Sequence, residues 1–114
     1  MKYGGMPMNT QFKKGALELI VLLIIKREDQ YGYSLVQNIS RYMKIAEGTV
    51  YPLLRRLVKN GELSTYYQPS TEGPARKYYR LTEQGQGRLA TLKEEWQLFS
   101  NAVNTFIEES ESNE

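Results

Sequence analysis

The feature that most constrains this chain is a change of hydrophobic period inside one short stretch, from Glu47 to Leu81. Val50, Leu53, Leu54, Leu57 and Val58 recur at helical spacing and leave Arg55, Arg56 and Lys59 largely off the apolar stripe. Gly61 is a natural stop for that helix. Its start has two readings. With Thr49 as N-cap, Pro52 falls in the first turn, where its missing N–H costs no bond; with a start at Glu47 or earlier, Pro52 lies slightly too deep and strains the turn. Leu63-Ser-Thr-Tyr-Tyr-Gln then carries β-forming residues, Pro69-Ser-Thr-Glu-Gly-Pro-Ala carries turn chemistry, and Arg76-Lys-Tyr-Tyr-Arg-Leu reads as a second strand. A helix with cations on one side is thus tied to a hairpin with a basic tip.

That order suggests a winged helix-turn-helix: a mostly α fold with a small β-hairpin, followed by a long C-terminal dimerisation helix. Thr49-Val-Tyr-Pro-Leu-Leu-Arg-Arg-Leu with Gly61, Gly73-Pro-Ala-Arg-Lys-Tyr-Tyr-Arg-Leu-Thr ending in Gly85, and Tyr31-Gly-Tyr-Ser-Leu upstream resemble the PadR family of bacterial transcriptional regulators, over roughly Lys14 to Phe106. The resemblance implies a dimeric DNA-binding regulator in the cytoplasm, read here as a repressor that occupies a palindromic operator on double-stranded DNA.

A helix entering the major groove reads base edges from its N-terminal part and braces on phosphates with longer side chains. Glu47, Thr49, Val50 and Tyr51 are therefore the base-facing or phosphate-facing candidates, with Pro52 shaping the approach and Arg55, Arg56 and Lys59 supplying charge. Of two adjacent arginines, one often turns along the edge of its own domain into an ion pair, so only one of Arg55 and Arg56 is expected on DNA. The resemblance places the wing tip at the minor groove, with Thr71, Gly73, Pro74, Arg76 and Lys77 as its contacts, and lets Tyr33 or Ser34 touch phosphate. The family often has a second glycine after the first at this tip; here that position is Pro74, which stiffens the loop. Tyr31 and Tyr33 also read simply as packing residues. The pairs Tyr66-Tyr67 and Tyr78-Tyr79 are expected to split between the two sheet faces and to pair across strands.

Charge supports this layout. The net charge of +2 is small, but residues 47–80 hold six Lys or Arg against three acids, whereas residues 81–114 hold two against seven. With no Cys and no His in 114 residues, disulfides, thiolate metal sites and the commonest general base are excluded, and no cofactor or metal site is expected.

Residues 1–10, with Gly4, Gly5 and Pro7, read as a flexible arm, and residues 11–81 as the winged helix-turn-helix. Within the latter, Gly15 to Lys26 is too short for a membrane span, which needs roughly 20 residues, and reads as a buried helix apolar nearly all round. Tyr31, Leu35, Ile39 and Tyr42 mark a short amphipathic helix, whose Gly32 lets another element come close.

Thr82 caps a last helix, assigned to 82–109, in which Leu89, Leu92, Trp96, Phe99, Val103 and Phe106 are spaced 3, 4, 3, 4 and 3 apart. Such a heptad seam buries itself against another helix, and a domain this small has few of its own to offer, so a homodimer is expected. The resemblance implies that aromatic residues in this seam, Trp96 and Phe99 here, line a pocket for a small hydrophobic effector in some members; a Trp packed in a dimer core is the plainer reading. Residues 110–114 read as a disordered acidic tail. Two rivals stand beside the regulator: a winged-helix protein-interaction module without DNA binding, and a small-molecule-binding dimer.

Overall fold

A computed structural model describes residues 10–112, with side chains from residue 16 onward. The expectations for the N-terminal arm before Thr10 lie outside these residues. The order is α1 (Thr10–Arg27), β1 (Gln30–Tyr31), α2 (Gly32–Ser40), α3 (Glu47–Lys59), β2 (Leu63–Ser70), β3 (Gly73–Leu81) and α4 (Glu83–Ser112). No helix among the described residues is long and apolar enough to cross a membrane.

The core forms where four apolar stripes meet. Val21, Leu22 and Ile25 of α1, Leu35 and Ile39 of α2, and Val50, Leu54 and Leu57 of α3 lose nearly all contact with water, and Leu63, Tyr79 and Leu89 close the cluster from the sheet and α4. Burying each such side chain is worth about 1.5–3 kcal/mol. The α1 helix is apolar nearly all round, as expected, and its Leu23 remains exposed on the side away from this cluster.

The hairpin becomes a three-stranded antiparallel sheet of order β1-β3-β2. Strand β1 has only two residues, Gln30 opposite Tyr79 and Tyr31 opposite Tyr78, so Tyr31, placed by its spacing on the amphipathic helix, pairs in the sheet just before α2 begins. Gln30 is nevertheless buried. Its carboxamide oxygen accepts from Ser34 Oγ at 2.8 Å and Asn38 Nδ2 at 3.1 Å, so its polarity is matched within the fold rather than by water. Strands β2 and β3 run further toward the tip than their composition indicates, leaving Thr71 and Glu72 as the turn. The register shifts between Gln68 and Ser70, so Pro69, which has no N–H to donate, sits where the ladder is interrupted.

Helix α3 starts at Glu47 with Ala46 as N-cap, not at Thr49, whose N–H bonds to the Ala46 carbonyl at 3.0 Å inside the first turn. Pro52 therefore lies within the helix, and the carbonyl of Gly48 four residues earlier loses its intrahelical donor. Gly48 is exposed, so water can take that place. The helix ends as expected at Gly61, whose φ of 79° suits a residue without Cβ.

Helix α4 spans 30 residues, about 45 Å at 1.5 Å per residue. It remains helical through Ser112, which corrects the expectation of a disordered tail from residue 110.

Candidate nucleic-acid interface

Helix α3 is held at both ends. At its start, the Tyr51 ring lies against Gly32 so closely that a Cβ there would collide with it, which is the close approach expected of that glycine. At its end, α4 supplies the caps. The Thr82 hydroxyl donates to the Gly61 carbonyl at 2.7 Å and accepts from the Gly85 N–H at 3.0 Å, and Gln84 Nε2 donates to the Asn60 carbonyl at 2.8 Å. The last-turn carbonyls of Arg56, Leu57 and Val58 accept the N–H groups of Asn60, Glu62 and Gly61, and the carbonyls of the turn that follows, Asn60 and Gly61, are satisfied by Gln84 and Thr82 at the start of α4. Glu18 of α1 adds a second link, pairing with Arg56 of α3 at 3.8 Å and Arg88 of α4 at 3.2 Å. Both arginines are well exposed, so each pair contributes at most about 1 kcal/mol, and its consequence is orientation.

This fixes what α3 can present. Glu47, Thr49, Pro52, Arg55 and Lys59 are exposed along it. Val50, grouped by sequence with the groove-facing residues, is 0% exposed and belongs to the core, because the apolar stripe that defines the helix runs through it. Tyr51 is half-buried against Gly32 and shapes the packing of α2 on α3. Of the adjacent arginines, Arg56 is the one turned into the domain-edge ion pair, and Arg55 the one left to the outside. In α2, Tyr33 is exposed. Ser34 is not free to act as a phosphate donor: its hydroxyl accepts the Tyr31 N–H at 3.1 Å and lies 2.8 Å from Gln30 Oε1 and 2.9 Å from the Tyr31 carbonyl, capping its own helix.

The strands divide the wing's side chains between two faces. Lys77 and Tyr79 share the face that packs toward α3; Tyr79 is buried, while Tyr67, paired with Lys77, stays exposed. Burial pushes the Tyr79 phenol above its ordinary pKa, Tyr51 and Tyr67 add to the rise, and the nearby charge of Arg55 opposes it. Arg76, Tyr78 and Arg80 occupy the other face. There the Tyr66 and Tyr78 rings stack at 5.6 Å, as cross-strand pairing predicts. At the tip, Thr71, Gly73 and Pro74 are exposed, and Arg76 lies 3.9 Å from Glu72.

A helix-turn-helix whose second helix carries exposed polar and cationic residues, beside a hairpin with a basic strand, is the arrangement of winged-helix regulators. A family model described as the transcriptional regulator PadR-like family matches residues 21–91. The chain belongs to that family. It is one of transcriptional regulators, not enzymes. A PadR-like transcriptional regulator from Bacillus cereus superposes with a TM-score of 0.78 at 36% identity, over 86% of this chain and 97% of that one. A PadR family regulator from Eggerthella lenta gives 0.77 at 32% identity, over 86% and 87%. A transcriptional regulator of Mycobacterium tuberculosis is 34% identical over 80 residues, 69% of this chain and 74% of the relative.

In this PadR-like chain the seam of α4 splits in two. Leu89 is 3% exposed and belongs to the core of its own chain, which removes it from the expected interface, and Leu92 packs partly against that core. Beyond Leu92 the helix leaves its domain: Trp96, Phe99, Val103 and Phe106 are exposed, and so are Leu98 and Ile107, which the heptad spacing alone does not include. Trp96 and Phe99, 6.4 Å apart, join Leu19, Leu92 and Glu95 around a shallow hollow of about 270 Å³. A larger hollow of about 760 Å³ lies between α1 and α2, with Ile20, Leu23, Ile24 and Met43 in its lining and Arg27 and Arg41 beside them.

Proposed function

We propose that the chain is a sequence-specific DNA-binding transcriptional regulator that works in the cytoplasm as a homodimer and represses by occupying a palindromic operator. The observation that carries this reading is the exposed face of α3, where Glu47, Thr49, Pro52, Arg55 and Lys59 stand clear of the core, with Lys77 of the wing on the side toward the same helix. Arg55, Lys59 and Lys77 supply phosphate contacts. Glu47 and Thr49, in the first turn of α3, meet base edges, Tyr33 braces on the backbone, and the tip residues Thr71, Gly73 and Pro74 approach the minor groove.

The dimer reading is supported by α4. A helix with an apolar stripe of Trp96, Phe99, Val103, Phe106 and Ile107 in water is covered at lowest cost by a second copy. Glu108, Glu109 and Glu111 at its end are opposite in sign to Arg27 and Arg41, which outnumber the single acid, Glu28, in the lining of the α1–α2 hollow, so the partner's helix end suits that hollow. Two-fold pairing would set the recognition helices about one turn of DNA apart, or a multiple of it. A small hydrophobic effector between Trp96 and its counterpart would act by favouring one spacing over another. The caps joining the start of α4 to the end of α3 give that change a route to the reading helix.

The test is fluorescence anisotropy with duplex from upstream of the protein's own gene, scrambled duplex and a random-duplex selection, each over a salt series. The expected result is a selected palindrome bound at least about 1,000-fold more tightly than random duplex. Replacing Arg55 and Lys59 with Ala should flatten the salt dependence by about two counterions. Equal, weak binding to every duplex would overturn the reading in favour of an interaction module.

A further inference from the structure

The outer face of the sheet carries a continuous ladder of three tyrosine rings with an arginine at each end. The Arg76 guanidinium lies 4.6 Å over the Tyr31 ring, Tyr31 meets Tyr78 at 5.3 Å, and Tyr78 stacks on Tyr66 at 5.6 Å. Beyond these, Arg80 lies 4.6 Å over Tyr66, and Asp29 accepts from the Tyr66 hydroxyl at 2.6 Å and Arg80 Nε at 3.3 Å. The Asp29 carboxylate, by accepting that bond, raises the Tyr66 phenol above its ordinary pKa. Tyr31 also stacks on Tyr33 at 6.5 Å. The ladder therefore crosses all three strands and ends on the first turn of α2.

We propose that Arg76 is a positioning residue for DNA binding: with Tyr31, Tyr78, Tyr66, Arg80 and Asp29 it forms a strut that fixes the wing against the start of α2, while Lys77 is the wing cation that meets phosphate. The inference rests on the DNA-binding reading above and divides two adjacent cations that composition treats alike. Strand alternation sends them to opposite faces. To reach phosphate, Arg76 would have to leave both the Tyr31 face at 4.6 Å and Glu72, whereas Lys77, exposed on the α3 side, has only the more distant Tyr79 ring at 5.8 Å to leave. The strut matters because β1 contributes only two residues of pairing, so hydrogen bonds alone hold the hairpin weakly to the rest of the fold. Arg80, bonded to Asp29 at the opposite end of the ladder, is a positioning residue for the same reason.

Lysine separates the two roles of Arg76, since it keeps the charge but lacks the planar guanidinium that stacks. In protein without DNA, R76A, R76K and Tyr31→Leu should each speed amide exchange at Gln68–Arg76 several-fold, with α1 amides unchanged, and Tyr31→Phe should not. On the selected duplex, R76A and R76K should weaken binding alike, by roughly three- to tenfold, with the salt slope unchanged. K77A should lower the slope by about one counterion. Wild-type binding by R76K together with a counterion lost in R76A would overturn the proposal by putting Arg76 on phosphate. Unchanged wing exchange in R76A and Tyr31→Leu would overturn the strut. Exchange is read without DNA, so a wild-type protein that binds no duplex sinks the regulator reading while the strut is still judged.

Discussion

Replacing Gly85 with alanine is expected to destabilise the fold by on the order of 2–3 kcal/mol, lowering the thermal midpoint by at least about 10 °C. Alanine is ordinarily the better helix residue, by about 0.8–1 kcal/mol. Here the sign reverses, because a Cβ on Gly85 would run into the Glu62 carbonyl and stand 2.7 Å from Leu81 Cδ1. Glu62 follows the end of α3, and its carbonyl accepts the Thr82 N–H at 3.2 Å, so the collision falls on backbone that cannot swing aside. Gly87 is the control. It lies two residues further along α4 with nothing within 4 Å of its Cβ position, and Gly87→Ala should raise the midpoint by a few degrees. Calorimetry of the two variants decides the matter; a Gly85→Ala protein as stable as wild type would show that α4 is not seated on the α3–β2 junction as described. Because the same junction caps the reading helix, Gly85→Ala should also lose operator affinity, and Gly87→Ala should keep it.

The second large effect is expected from the far end of α4. Changing Phe99 and Phe106 together to Asp should turn the proposed dimer into a monomer and weaken binding to a full palindrome by at least about 100-fold, while binding to one half-site stays near wild type. The two rings are 63% and 72% exposed in the protomer, so the domain itself should keep its melting behaviour. Sedimentation and anisotropy on full and half sites read the two consequences separately. A double variant that remains dimeric would remove the α4 stripe from the interface. In the same assay, reversing Arg27 and Arg41 to Glu should weaken the dimer, and reversing Glu108 and Glu109 to Lys in that background should restore part of it.

The helix-hairpin order, the stop at Gly61, the Thr82 cap, the approach at Gly32 and the aromatic pairing of the strands were all legible in the chain, because each rests on a local rule: period, a cap hydroxyl, a missing Cβ. The start of α3 was open between two readings, since a Pro sixth in the helix is costly locally and is tolerated where the Gly48 carbonyl is exposed. Strand β1 left no signal at all. Two residues carry no periodicity, and only β3 alongside makes them a strand.

For the site, the sequence by itself determined the residue types and their order: cations beside the apolar stripe of α3, a basic second strand in the wing, a heptad seam in α4. What only the tertiary structure decided is which member of each set faces outward. Spacing leaves Arg55 and Arg56 alike, and Glu18, distant in sequence, claims Arg56, whereas Val50 goes to the core along the apolar stripe already visible in the sequence. Leu89 looked like its seam-mates until α1 came to lie against α4, and Ser34 like a free hydroxyl until Gln30 turned inward. The reason is physical. Local pattern records which side chains can be buried or charged together along one element, whereas the partner that removes a side chain from water comes from another part of the chain, brought close only by the packing of the whole fold.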